Sequence, residues 1–155
     1  FRTGDLGYLD NENYLYVSGR KKELIVFSNG KNVSPNKVEE QLIQSKYINQ
    51  LVVIGNNRQY LSALIIPDFE TIDAELTLDG DSVSKCSEDA VIRLIQQDIA
   101  KLSTRLSGFE VVKKFHLLPD EFSIDGGELT PTLKLRRNEI NKKYDHLIKS
   151  MYNNE

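Results

Sequence analysis

The sequence predicts an α+β domain in which helices cover a small antiparallel sheet, with a β-hairpin placed before it. Three observations carry that expectation. Residues 6 to 17 alternate in the manner of a hairpin. Apolar runs at 51 to 54 and 61 to 66 flank a polar loop. Val91, Leu94, Ile95, Ile99, Leu102 and Leu106 recur on one face of a long helix.

Taken in order, Leu6-Gly7-Tyr8-Leu9 and Tyr14-Leu15-Tyr16-Val17 form the hairpin around a turn at Asp10-Asn11-Glu12-Asn13. Ser18-Gly19-Arg20-Lys21-Lys22-Glu23 breaks the apolar pattern with charge and a glycine, as a linker does, and Leu24-Ile25-Val26-Phe27 resumes as a strand. After the polar loop Ser28-Asn29-Gly30-Lys31-Asn32, Ser34 supplies an N-cap and Pro35 an N1 proline. The amphipathic helix they start covers residues 35 to 44, with Val38, Leu42 and Ile43 on its apolar face. Pro67 ends the 61 to 66 strand, and Gly108 stops the long helix drawn between residues 87 and 107. Residues 111 to 118 read as a strand closed by Pro119, and Asp125-Gly126-Gly127 as a mobile loop. Ile140, Tyr144, Leu147, Ile148 and Met151 fall at helical spacing, giving one C-terminal helix from Arg137 onward.

A chain of 155 residues, 39% of them hydrophobic, suffices for one core and is short for two full domains. Twenty basic residues are scattered among 23 acidic ones, and a net charge of -3 leaves no electrostatic footprint for nucleic acid. The longest apolar runs are strand-sized, against the roughly 20 residues a bilayer span requires, and no signal peptide opens the chain. The expectation is a soluble, cytoplasmic protein. The single Cys86 excludes an intramolecular disulfide, and His116 and His146 have no second ligand at metal spacing, so no metal site is expected. A start at Phe1, directly inside a patterned segment, suggests a piece of something longer.

Three segments carry motifs: Phe1-Arg2-Thr3-Gly4-Asp5-Leu6-Gly7; Gly19-Arg20-Lys21-Lys22-Glu23-Leu24-Ile25, extending through Gly30 and Pro35 to Glu39; and Leu129-Thr130-Pro131-Thr132-Leu133-Lys134-Leu135-Arg136-Arg137. In this order they resemble the adenylate-forming superfamily of acyl-CoA synthetases, luciferases and peptide-synthetase adenylation domains. The third is similar to the LTPTLKLKR signature of the long-chain acyl-CoA synthetases. Leu133 stands where many short-chain members have glycine, which favours the long-chain branch. The likeness runs nearly from end to end and is weakest over residues 68 to 90.

The resemblance implies the mobile C-terminal domain of a long-chain fatty acid–CoA ligase, with residues 1-19 a hairpin from the end of a large N-terminal domain and 20-155 the lid. It assigns Asp5 to the ribose hydroxyls of ATP, a task suited to an ionised acceptor facing two donors. Arg20 would lie near the same ribose. Lys22 would be the hinge, at a charged linker whose backbone has few packing constraints. Gly30 would lie against the pantetheine channel for CoA, where a missing Cβ permits close approach. Lys134 would be catalytic, placing its ammonium between the fatty carboxylate and the α-phosphate. Arg136 and Arg137 would be solvated or phosphate-near charges.

ATP and Mg2+ would bind mainly through the N-terminal domain, with CoA as a further substrate. The family's phosphate loop, adenine pocket and fatty-acid tunnel lie there, and the Gly126-Gly127 pair has no phosphate-cradle context. The chain alone is therefore expected to be inactive. The resemblance leaves three matters open: delivery of the adenylate to an acyl-carrier protein or another acceptor, a non-catalytic protein-interaction module, and peripheral membrane contact of the full enzyme.

Overall fold

A computed structural model describes residues 4 to 20, 23 to 78 and 87 to 153, with side chains for all of these except residues 18 to 20 and 76 to 78. The α+β class holds. Strands β1 (Asp5–Leu9) and β2 (Leu15–Arg20) form the foreseen hairpin, with Tyr8 opposite Tyr16 and their rings stacked 5.4 Å apart. The Asp10 carboxylate organises its turn by accepting from the Glu12 and Tyr14 N–H groups at 2.9 and 3.0 Å. Strand β3 (Ile25–Val26) pairs with β4 (Asn32–Val33), a two-residue strand that the polar sequence around it concealed.

The central sheet has the order β5-β6-β7, from Ile48–Ile54, Leu61–Pro67 and Val112–Leu117. β5 and β6 are antiparallel, as a short polar loop allows. β7, however, joins β6 in parallel, Leu61 opposite Val112 and Ile65 opposite Leu117. The physical reason is the connection: helices α2 (Phe69–Leu78) and α3 (Glu88–Leu102) intervene, and a helical crossover returns the chain to the sheet in the same direction. Every residue of β6 is buried, which explains its continuous apolar run in place of alternation.

Two cores follow from the pleat of that strand. Leu61, Ala63 and Ile65 face one core with Val38 and Leu42 of α1 (Pro35–Leu42) and Val91, Ile95 and Ile99 of α3. Leu64 and Ile66 face the other, with Phe122, Ile140, Ile148 and Met151. The C-terminal segment divides at Tyr144 into α4 (Arg137–Lys143) and α5 (Asp145–Tyr152), where a single helix is expected from the sequence. The ladder nevertheless continues, Tyr144 N–H to the Ile140 carbonyl and Ile148 N–H to that of Tyr144, so the apolar face survives the break. Tyr152 fastens α5 to the sheet through its hydroxyl, 2.7 Å from Ser62 Oγ.

Helix α2 is the one helix without an expectation from the sequence. Its start is marked by Asp68, whose side chain accepts from the Thr71 N–H at 3.0 Å, an N-cap directly after Pro67. Helix α3 has its cap at Ser87 and ends in a 3-10 turn, Ser103–Arg105, shortening the drawn helix without removing Leu106 from the core. Among the described residues no helix is long and apolar enough to cross a membrane.

Gly55, directly after β5, packs closely against core side chains. A Cβ there would meet Leu61 Cδ2 at 2.8 Å and ring and methyl atoms of Phe27 and Ile25 at 3.1 and 3.2 Å, all on buried side chains. Gly55→Ala is expected to destabilise the chain by about 1 to 2 kcal/mol through overpacking, read as a lower urea midpoint at unchanged m.

Candidate active site

Lys134 sits on a hairpin loop whose geometry follows from local chemistry. Pro131 takes the second position of a tight turn, Leu133 N–H donating to the Thr130 carbonyl at 2.8 Å. Leu133 then turns left-handed with φ of 60°, and the Thr130 N–H closes on the Lys134 carbonyl at 2.9 Å. This is a type I turn followed by a left-handed residue, the usual three-residue hairpin loop. The Thr130 hydroxyl adds a bond from the Lys134 N–H at 3.0 Å, and Leu129 pairs with Leu135 below. The loop directs an exposed Lys134 into an open groove of about 1090 Å³. Among the described residues no carboxylate pairs with its ammonium.

Asp5 lines the same groove, so the structure brings together the two ends of the chain that sequence motifs singled out. Arg20 is the ladder partner of Asp5 at the far end of β2. Lys22 lies outside the described residues. Gly30 does not line the groove and occupies the exposed turn between β3 and β4. A Cβ on Gly30 would meet nothing within 4 Å, but its φ of 81° is in the left-handed region, so the backbone alone calls for glycine there.

The Gly30 and Lys134 loops repeat one geometry. Phe27 N–H bonds to the Lys31 carbonyl and Gly30 N–H to the Phe27 carbonyl, both at 2.9 Å, matching the Thr130–Lys134 and Leu133–Thr130 bonds. One loop has glycine at the left-handed position and the other has leucine, 69% exposed. A left-handed residue with a Cβ costs about 1 to 2 kcal/mol, partly offset by the chain entropy glycine adds to the unfolded state. Leu133→Gly is therefore expected to raise stability by roughly 0.5 to 1 kcal/mol in urea unfolding, and an unchanged or lower midpoint would refute this account.

Two charged groups have partners that motif reading did not foresee. Arg137, expected as a solvated or phosphate-near charge, instead makes a partly buried two-pronged pair with Glu39 of α1, at 2.8 and 2.6 Å. Glu39 also accepts from the Val53 N–H at 2.8 Å, while Arg137 reaches the Val53 carbonyl and Asn36 Oδ1, each at 3.3 Å. The available signal was helical spacing: Arg137 shares the face of Ile140 and Tyr144, and Glu39 adjoins Val38. Glu128 is the second. Its nearly inaccessible carboxylate accepts from Lys143 Nζ, from the Tyr144 hydroxyl at 3.3 Å and from the Ser123 N–H at 3.3 Å. Burial pushes this carboxyl up, but the Lys143 ammonium and the backbone N–H donors outweigh it and hold it below the usual carboxylate range. Arg136 is exposed, one guanidinium nitrogen 3.4 Å from the Gly127 carbonyl oxygen.

Comparison with known proteins places this geometry. A family model described as "AMP-binding enzyme C-terminal domain" matches residues 22–155. The long-chain-fatty-acid–CoA ligase FadD15 of Mycobacterium tuberculosis is 38% identical over 160 aligned residues, covering 100% of this chain and 27% of the relative. Among solved structures, the adenylation domain of a carboxylate reductase from Mycobacterium chelonae superposes with a TM-score of 0.82 at 25% identity, covering 97% of this chain and 22% of its own. A fatty acyl CoA synthetase of Mycobacterium tuberculosis gives 0.59 at 26% identity, over 95% of this chain and 24% of its own. The chain thus spans about a quarter of the length of the proteins it matches. With a family match over nearly the whole sequence and the fold of the same enzymes, this chain belongs to the AMP-binding enzyme C-terminal domain family of adenylate-forming enzymes.

Proposed function

We propose that the chain is the lid of a long-chain fatty acid–CoA ligase and presents Lys134 to the reacting carboxylate. The observation that carries this reading is the shared groove: the Lys134 ammonium, with no carboxylate partner among the described residues, and the Asp5 carboxylate face one open space. In the first half-reaction a fatty carboxylate oxygen attacks the α-phosphorus of ATP, and pyrophosphate leaves with the electron pair of the broken P–O bond. Lys134 offsets the charge of the two approaching anions, while Asp5 accepts from the ribose hydroxyls and Arg20 lies beside them. In the second, the CoA sulfur attacks the acyl carbon and AMP leaves. The Gly30 turn faces the pantetheine arm for that step, and rotation about Lys22 exchanges the two faces. Residues 1-19 belong with the large domain and 20-155 with the lid. Mg2+ arrives with the triphosphate, bound mainly through the large domain.

The full-length protein, given palmitate, Mg-ATP and CoA, is expected to yield palmitoyl-CoA and AMP in equal amounts, while the 155-residue chain alone yields neither. Absence of the thioester with the full-length protein would reject the reading. A second reading keeps the adenylation step and changes the acceptor to a carrier protein; what supports it is the likeness of fold to the A-PCP didomain of a carboxylic acid reductase from Segniliparus rugosus. Adenylate formation from palmitate, with transfer to a carrier protein and none to CoA, would select it.

A further inference from the structure

We propose that Glu128 is a positioning residue for Lys134, a statement that rests on the function proposed above. The Lys134 loop is joined to Glu128 by three successive rungs. Thr130 N–H meets the Lys134 carbonyl at 2.9 Å, Leu129 pairs with Leu135, and Arg136 N–H meets the Glu128 carbonyl at 2.7 Å. The backbone of Glu128 is thus the bottom rung of the hairpin, and its side chain ties that rung to α4 and the preceding loop, beside the Leu129 N–H to Ser123 carbonyl bond and the packing of Leu129 and Leu135 on the second core. The carboxylate is 3% exposed and is held from three directions: Lys143 from α4, the Tyr144 hydroxyl from the junction of α4 and α5, and the Ser123 N–H from the preceding loop.

A second observation points to the same anchor. Gly126 has an ordinary backbone, yet a Cβ there would collide with the Glu128 carboxylate and come within 2.8 Å of Ser123 Oγ. Ser123 Oγ in turn accepts from the Gly126 N–H at 2.8 Å. The loop is wrapped around the carboxylate tightly enough to leave no room for one methyl group. Lys134 itself is exposed and held through its backbone, so the location of its ammonium depends on the rungs beneath it. A displacement of about 1 Å at such a group is enough to cost on the order of 100-fold in rate.

The test uses the full-length protein and separates the half-reactions: adenylation from palmitate and Mg-ATP by pyrophosphate release, and thioester formation from chemically made palmitoyl-AMP and CoA. Glu128→Gln is expected to lower the adenylation kcat about 10- to 100-fold with the KM for ATP within about twofold, and to leave thioester formation within about twofold. Gly126→Ala, which displaces the carboxylate without changing charge, is expected to follow the same pattern and keeps the test decisive if Glu128→Gln does not fold. Equal loss in both halves would show a purely structural role and overturn the proposal, as would adenylation within twofold of the parent. Lys134→Ala is the control. Unimpaired adenylation in that variant rejects the assignment of Lys134 and the proposal with it, whereas its loss alongside normal adenylation in Glu128→Gln rejects the proposal alone.

Discussion

Lys134→Ala in the full-length protein is expected to slow acyl-adenylate formation by roughly 100- to 1000-fold, about 3 to 4 kcal/mol of transition-state stabilisation. The argument is electrostatic. Two anions must meet, and the ammonium is carried on a loop held by backbone and side-chain restraints at residues 129 to 135. No described carboxylate neutralises it beforehand, so its charge is available to the reacting groups. Thioester formation from preformed palmitoyl-AMP is expected to continue within about twofold, because the function proposed above assigns that step to the Gly30 face. Equal loss of both half-reactions would contradict the division of labour between the two turns.

Arg137→Ala is expected to destabilise the chain by roughly 2 to 4 kcal/mol, lowering Tm by about 5 to 15 °C in a domain of this size. Removing the guanidinium strips Glu39 of both its charged bonds and leaves the carboxylate partly buried, with the Val53 N–H as its donor. Breaking one side of such a pair is costlier than replacing both. The double variant Glu39→Gln/Arg137→Met should therefore recover part of the loss, since the amide oxygen still accepts from Val53. A double variant less stable than Arg137→Ala would refute the buried-charge account.

Much of this was legible along the chain because period and turn chemistry are local. The apolar face of α3, the proline at the start of α1 and the Asp10 turn are each written in a few neighbouring residues. The parallel entry of β7 was not, since the strand pattern at 112 to 117 reads the same whichever way the strand runs and its direction is set by the α2–α3 crossover. β4 escaped because two residues carry no period. At the candidate site, motif resemblance singled out Lys134 and Asp5 in the primary sequence, and only the fold shows that they share a groove. Glu128 and the Glu39–Arg137 pair were invisible for a different reason. Arg137 meets Glu39 across 98 residues, Glu128 meets Lys143 across 15, and a charged residue looks alike in sequence whether solvated or satisfied inside.

The contacts of Arg137 and Glu39 with Val53 also bear on association between molecules. β5 is an outer strand of the sheet, and Val53 directs a main-chain donor and acceptor away from β6, the template on which a foreign strand could add. A carboxylate and a guanidinium already occupy those two groups. If the domain swings during turnover, this rim comes repeatedly into water beside other unfolded or extended chains. The charged pair keeps it from serving as a seed for intermolecular β-pairing, so loss of Arg137 should show itself as turbidity on gentle warming as well as in the melting curve.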